Sequence, residues 1–191
     1  MPGSPWCAEA FRQGCAFVNS LDPFWWTANL DGIIGKNRDW EAAGAQLRWY
    51  VQAKLLVCGQ DAHETVHLVA HSHGGAVCGY ALAAEEPVTV QTLITVATPV
   101  RDDMQHVWEL ARRRVALWVH IYTDGDWWQW LGSRFDGSFR FQRTMPLADY
   151  NLFVSGESHG SLMTPTLWTD RAWWAWLQPE SGQPAVPVLS S

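Results

Sequence analysis

Residues 66–75 read VHLVAHSHGG, an apolar run that ends in Ser72 and is followed at once by His73 and two glycines. A serine hydroxyl is a weak nucleophile until a base stands within hydrogen-bond reach, and the base in turn needs a group to orient it. Candidates for both follow in chain order. An acidic turn, Thr123-Asp124-Gly125-Asp126, supplies a carboxylate from Asp124 or Asp126, and the loop Ser155-Gly156-Glu157-Ser158-His159-Gly160 supplies an imidazole. A serine, a carboxylate and an imidazole that converge can attack an acyl carbon and hold the acyl group covalently.

The pattern Ala70-His71-Ser72-His73-Gly74 is a variant of the G-x-S-x-G nucleophile elbow with alanine in the first glycine position. Small residues on either side of such a serine have a steric reason, because the corner is strained and bulk would strike the neighbouring strand or helix. The plainer alternative is a serine in an ordinary strand-to-helix turn. His71 and His73 would share a face if both lay on a strand, as a metal pair does. No Cys/His partner with zinc-site spacing accompanies them, since Cys58 and Cys78 are isolated, so packing around the turn is the simpler account and no metal is expected.

Of the other histidines, His67 and His120 sit inside apolar runs and suit satisfied core positions, His63 precedes its strand, and His106 falls on a helical stretch. His159 alone lies in a glycine-containing loop after a strand. Its alternative role is a loop residue at the start of the last helix.

The elements that must position these groups alternate. Val66, Leu68 and Val69 suit a strand buried on both faces, and residues 75–84 a small, apolar helix packed closely on a sheet. Residues 90–97, 115–122 and 150–154 read as further strands, and 102–113 as a helix. Upstream, Ser4-Pro5 suits a helix start running to about Gln13, residues 15–18 a short strand, and 22–35 a loop. Asn37 can cap a helix in which Trp40, Ala43, Gly44, Leu47, Val51 and Lys54-Leu55 keep helical spacing. Residues 139–143 alternate like an exposed strand, and Thr164-Pro165 is expected to cap a tryptophan-rich helix running to Leu177. There is no internal repeat. The series argues for an α/β fold with a mostly parallel sheet covered by helices on both faces. In such sheets chemistry gathers at the carboxyl ends of the strands, where Ser72, Asp126 (or Asp124) and His159 all fall. We expect one domain over 1–178 and a flexible tail over 179–191.

The 191 residues are 48% hydrophobic and 17% charged, which fits a globular chain with a substantial core. The net charge of −6 and the absence of a basic stripe argue against nucleic acid as a partner. Arg112-Arg113-Arg114 is the one basic cluster and suits a solvated helix end. Fourteen tryptophans, several in pairs, point first to packing and second to an aromatic rim that receives an acyl chain or lipid. Cys7, Cys15, Cys58 and Cys78 have no framework spacing, and Cys58 and Cys78 read as buried thiols. No secretory segment follows Met1 and no apolar run spans a bilayer, so a cytoplasmic protein without a transmembrane segment is expected.

Residues 66–168 resemble the α/β-hydrolase superfamily on its lipase and esterase side. The resemblance rests on AHSHGG, ATPVRDDM (97–104), IYTDGDWWQWLG and GESHGSL, and on the order serine, acid, histidine. It implies an α/β-hydrolase-like three-layer sandwich and a serine hydrolase that cleaves carboxylic esters, small or lipid-like, without a cofactor. In that pattern Ser72 is the nucleophile, His159 the base and later the acid, and Asp126 the orienting carboxylate. Asp126 is preferred to Asp124 because the family commonly follows its acid shortly with a hydrophobic residue and glutamine, as in Asp126-Trp127-Trp128-Gln129. The His73 N–H would give one oxyanion donor. The second normally comes from an earlier loop marked by His-Gly, and no such dipeptide or strand precedes Ser72. The chain therefore reads as a compact variant or as one lacking the N-terminal strands of the family, with an unpaired edge beside the nucleophile strand. Two other functions stay open: acyl transfer to an acceptor other than water, and a catalytically silent domain that binds an apolar ligand or a protein. Residues 22–35 and 127–137 are candidate lids.

Overall fold

The computed structural model describes Phe24 and residues 38–57, 65–86, 88–126 and 143–177. The helix expected from Ser4, the strand at 15–18, the cap Asn37, the candidate lid at 127–137, the tail at 179–191, and Cys7, Cys15, Cys58 and His63 lie outside the described residues. So do 22–35 apart from Phe24 and 139–143 apart from Arg143.

Four strands form one sheet in the order β1 (His67–His71), β2 (Val90–Val96), β3 (Val115–Thr123) and β4 (Tyr150–Val154), each parallel to its neighbour. The register sets His71 opposite Val96, Val96 opposite Ile121 and Ile121 opposite Leu152, so the carboxyl ends of all four strands share one rim. The helices are α1 (Arg38–Val57), α2 (Gly74–Ala83), α3 (Gln105–Arg112) and α4 (Pro165–Asp170).

Successive strand residues face opposite sides, and two cores follow from that alternation. Leu93 and Trp118 face one side, where Trp40 and Leu47 of α1, Leu82 of α2 and Trp108 of α3 pack on them. Ile94, Val119 and Ile121 face the other, against Leu162, Trp168 and Trp174 from the carboxyl-terminal segment. The fold is thus α/β, with a parallel sheet between helical layers. Every described tryptophan except Trp49 is buried, so these rings serve packing. Among the described residues, no helix is long and apolar enough to cross a membrane.

A polar chain runs through the first core. The His120 Nε2–H donates to the Arg143 carbonyl at 2.9 Å, which leaves Nδ1 to accept from the Thr95 hydroxyl at 2.9 Å, and Thr95 Oγ1 accepts the Trp118 indole N–H at 3.0 Å. Each buried polar atom in the chain has a partner when His120 is neutral. Burial pushes that imidazole down to about 4.

Several expectations are corrected in detail. Residues 164–177 do not form one helix. α4 ends at Asp170, Ala172 takes φ 53°, and a 3-10 helix covers Trp173–Leu177. Trp173 and Trp174 both pack on Trp168, at ring separations of 5.5 and 4.9 Å. In a continuous helix they would point about 140° and 240° away from it, so the chain must turn back to bring both rings home. Thr164 holds the N-cap position of α4, with Pro165 following it as expected, but its hydroxyl donates to the Ser161 carbonyl at 2.8 Å and makes no capping bond to the helix. The helix expected over 102–113 begins as a 3-10 turn at Asp102–Met104 before α3. β1 is half-buried rather than enclosed, because among the described residues it has a strand neighbour on one side only. His67 accordingly lies half-buried at its start, within 3.1 Å of the Thr65 hydroxyl. Arg112 is more than a solvated helix end: it donates to the Val115 carbonyl and to Asp149 at 2.7 Å, while Asp149 also accepts the Trp118 N–H at 2.8 Å.

Candidate active site

Ser72 stands where β1 turns into α2, with φ 55°, in the left-handed region that a residue with a side chain seldom occupies. Its N–H donates to the Val96 carbonyl at 2.8 Å and its carbonyl accepts the Gly75 N–H at 3.1 Å, so the corner is fixed from both sides. Gly75 has a steric cause. A Cβ there would run into the Thr98 side chain, and only glycine lets α2 start this close to the end of β2. His73 and the residues after it open α2, whose first N–H groups have no intrahelical partner and face the rim.

His159 and Asp126 meet beside this corner. The His159 Nδ1–H donates to Asp126 Oδ2 at 2.6 Å, a short, charge-assisted bond. The carboxylate is 1% exposed and the imidazole 18%. An ionised carboxylate can only accept, so Nδ1 carries the proton and Nε2 keeps a lone pair. Asp124, the alternative acid, is exposed and accepts the Gly156 N–H at 3.3 Å instead.

The loop that carries His159 leaves β4 and has to reach β1, three strands away. At about 4.8 Å per strand that is about 14 Å. Five fully extended residues span about 17 Å at most, and the turn at Ser155 and Gly156 shortens the path from Ser155 to His159, so the side chain of His71 meets the loop from β1. Contacts mark its course. Thr123 at the end of β3 donates its hydroxyl to the Glu157 carbonyl at 2.8 Å, and the Gly125 Cα lies against that same carbonyl. Beyond β2, His159 reaches the end of β1, where its ring lies 4.6 Å from that of His71. The His71 Nε2–H donates to the His159 carbonyl at 2.9 Å.

The two histidines flanking Ser72 do not act as a pair. His71 packs on His159, and His73 lies 5.1 Å from the Trp40 ring, over which Arg101 also stacks. Burial pushes both imidazoles down to about 4, with nearby positive charge adding to the effect, so both are neutral at ordinary pH. No group of three or more His, Cys, Asp or Glu among the described residues could hold a metal ion. His106 is exposed on α3 and Cys78 is a buried free thiol pushed up to about 12.

The rim therefore gathers Ser72, Asp126 and His159. Among the described residues no hydrogen bond joins the Ser72 hydroxyl to the His159 ring; His71, the neighbour of Ser72 in the chain, is bonded to His159 instead. Sequence reasoning did not find the roles of His71, Thr123 and Gly125. Their signal lies in contacts across the sheet, not in local spacing. Compared with known proteins, the chain matches no family model, no curated protein and no solved structure.

Proposed function

We propose that the chain is a serine hydrolase of the α/β-hydrolase kind, cleaving carboxylic esters through Ser72, His159 and Asp126. The observation that carries this reading is the 2.6 Å bond from His159 to buried Asp126, made at the strand rim beside a serine held at φ 55°. An imidazole so oriented presents Nε2 as a base, and a strained corner presents its hydroxyl outward.

The reaction follows from those roles. His159 Nε2 takes the Ser72 proton as Oγ attacks the ester carbon, and Asp126 stabilises the imidazolium. The His73 N–H donates to the oxyanion, a contribution of about 10²–10³ in rate for one donor. His159 then passes its proton to the leaving alkoxide, and an acyl group remains on Ser72. Water repeats the steps and frees the acid. Another acceptor in place of water would make the protein an acyltransferase, and product analysis with added alcohols separates the two.

Turnover of short p-nitrophenyl esters tests the proposal. Ser72→Ala is expected to lose on the order of 10⁴-fold or more while keeping the native circular dichroism. Turnover equal to that of the native protein would end it.

A second reading, a catalytically silent domain that binds an apolar ligand or a protein partner, is favoured by two observations. Among the described residues no hydrogen bond joins Ser72 to His159, and among those same residues no strand flanks β1 on the side where a second oxyanion loop would stand. A fluorophosphonate probe separates the readings: labelling at Ser72 supports the enzyme, and folded protein that stays unlabelled supports the binder.

A further inference from the structure

The loop that delivers His159 is held at several points along its course. Thr123 fixes it over β3 through Glu157, and Asp126 holds the ring itself. Neither contact sets the distance to Ser72, because both partners belong to β3 and the loop after it. The contact that reaches the nucleophile's own strand comes from His71, the residue just before Ser72. Its Nε2–H donates to the His159 backbone carbonyl at 2.9 Å, and its ring lies 4.6 Å from the His159 ring at 50°.

We infer that His71 is the positioning residue of the site: it docks the histidine loop onto the nucleophile strand and so sets how the His159 imidazole faces Ser72. The inference rests on the ester-hydrolase reading for its kinetic consequence, although the docking itself does not. Three features suit the role. A carbonyl can only accept, so the bond fixes the His71 proton on Nε2. His71 and Ser72 are joined by one peptide bond, so a contact to His71 transmits little slack. The imidazole also stays neutral down to about pH 4, so it adds no positive charge beside the base.

Two substitutions separate the donor from the ring. Gln carries an N–H near the position of imidazole Nε2, whereas Phe keeps a ring and loses the donor. His71→Phe is expected to lower kcat about 10²-fold on p-nitrophenyl esters, the effect of roughly 1 Å of misplacement, with KM changed far less than kcat. His71→Gln is expected to recover most of that loss. A kcat for His71→Phe equal to the native value overturns the inference, and so does a His71→Gln variant as slow as His71→Phe. A second readout does not depend on turnover. The short bond from His159 to Asp126 should give a downfield Nδ1–H proton resonance in the native protein. It should broaden in His71→Phe, persist in His71→Gln and vanish in an Asp126→Asn control. A native protein that shows this pattern without any turnover would retain the docking role and reject the hydrolase reading. An unaltered resonance in His71→Phe would reject the docking role even if Ser72→Ala abolished turnover.

Discussion

Thr123, the last residue of β3, donates its hydroxyl to the Glu157 carbonyl at 2.8 Å and accepts the Gly125 N–H at 3.2 Å. One short side chain thereby stitches the turn that carries Asp126 to the loop that carries His159. The stitch leaves no room at Gly125, where a Cβ would collide with the Glu157 carbonyl oxygen. The oxygen belongs to backbone and a Cβ is fixed by its own backbone, so neither can rotate away.

Gly125→Ala must therefore push the two loops apart. The expected result is a fall in kcat of about 10²-fold on a p-nitrophenyl ester, as for a misplaced pair of groups, with the sheet intact by circular dichroism. Unchanged turnover would show that the loops can part without disturbing His159.

The two aspartates of that turn should behave differently. Asp126→Asn keeps the shape but replaces an acceptor-only group with an amide, which permits the wrong imidazole tautomer; a loss of about 10⁴-fold in kcat is expected. Asp124→Asn affects an exposed acceptor for the Gly156 N–H and should change kcat only slightly. Steady-state kinetics on both variants decide the matter, and equal losses would contradict the assignment of Asp126.

The fold was legible wherever its causes are local. The apolar run before Ser72 and the glycines after it mark the corner, and β1 and α2 meet there as the spacing implies. β4 falls on residues 150–154, since a short apolar run between turns admits few boundaries. What stayed hidden depends on partners far apart in the chain. His71 and His159 are separated by 88 positions, and their contact follows from strand order. The salt bridge from Arg112 to Asp149 spans 37 positions and ties α3 to the segment before β4. The break at Ala172 lets two adjacent indoles, Trp173 and Trp174, both pack on Trp168, which no propensity of alanine foretells.

Close helix contact makes a stability prediction away from the rim. A Cβ on Gly44 of α1 would stand 2.6 Å from the Tyr80 Cβ and 2.9 Å from the Ala81 nitrogen on α2. The backbone atom cannot yield without moving the helix. Gly44→Ala is expected to destabilise the fold by about 1–3 kcal/mol, the usual penalty of overpacking, in urea unfolding followed by tryptophan fluorescence. A gain in stability, as alanine gives in an uncrowded helix, would show that α1 and α2 can slide apart freely.

Acid should weaken the fold through its buried imidazoles. His71, His73 and His120 are each pushed down to about 4, chiefly by burial, whereas the unfolded chain titrates near the ordinary histidine value of 6.5. Above 6.5 each group is neutral in both states and adds no pH dependence. Between 6.5 and 4 the unfolded chain binds protons that the folded chain refuses, so stability falls as pH is lowered. Each such histidine contributes a slope of up to about 1.4 kcal/mol per pH unit across that window. Below 4 the folded state takes up the same protons, and for His120 a protonated Nδ1 would then face the Thr95 hydroxyl from which it had accepted. Urea unfolding at a series of pH values from 7.5 to 4, with proton uptake measured on unfolding, should show this decline. A flat profile from 6.5 to 4 would mean that these rings charge freely in the folded protein, and the neutral chain from Trp118 through Thr95 and His120 to Arg143 would have to be redrawn.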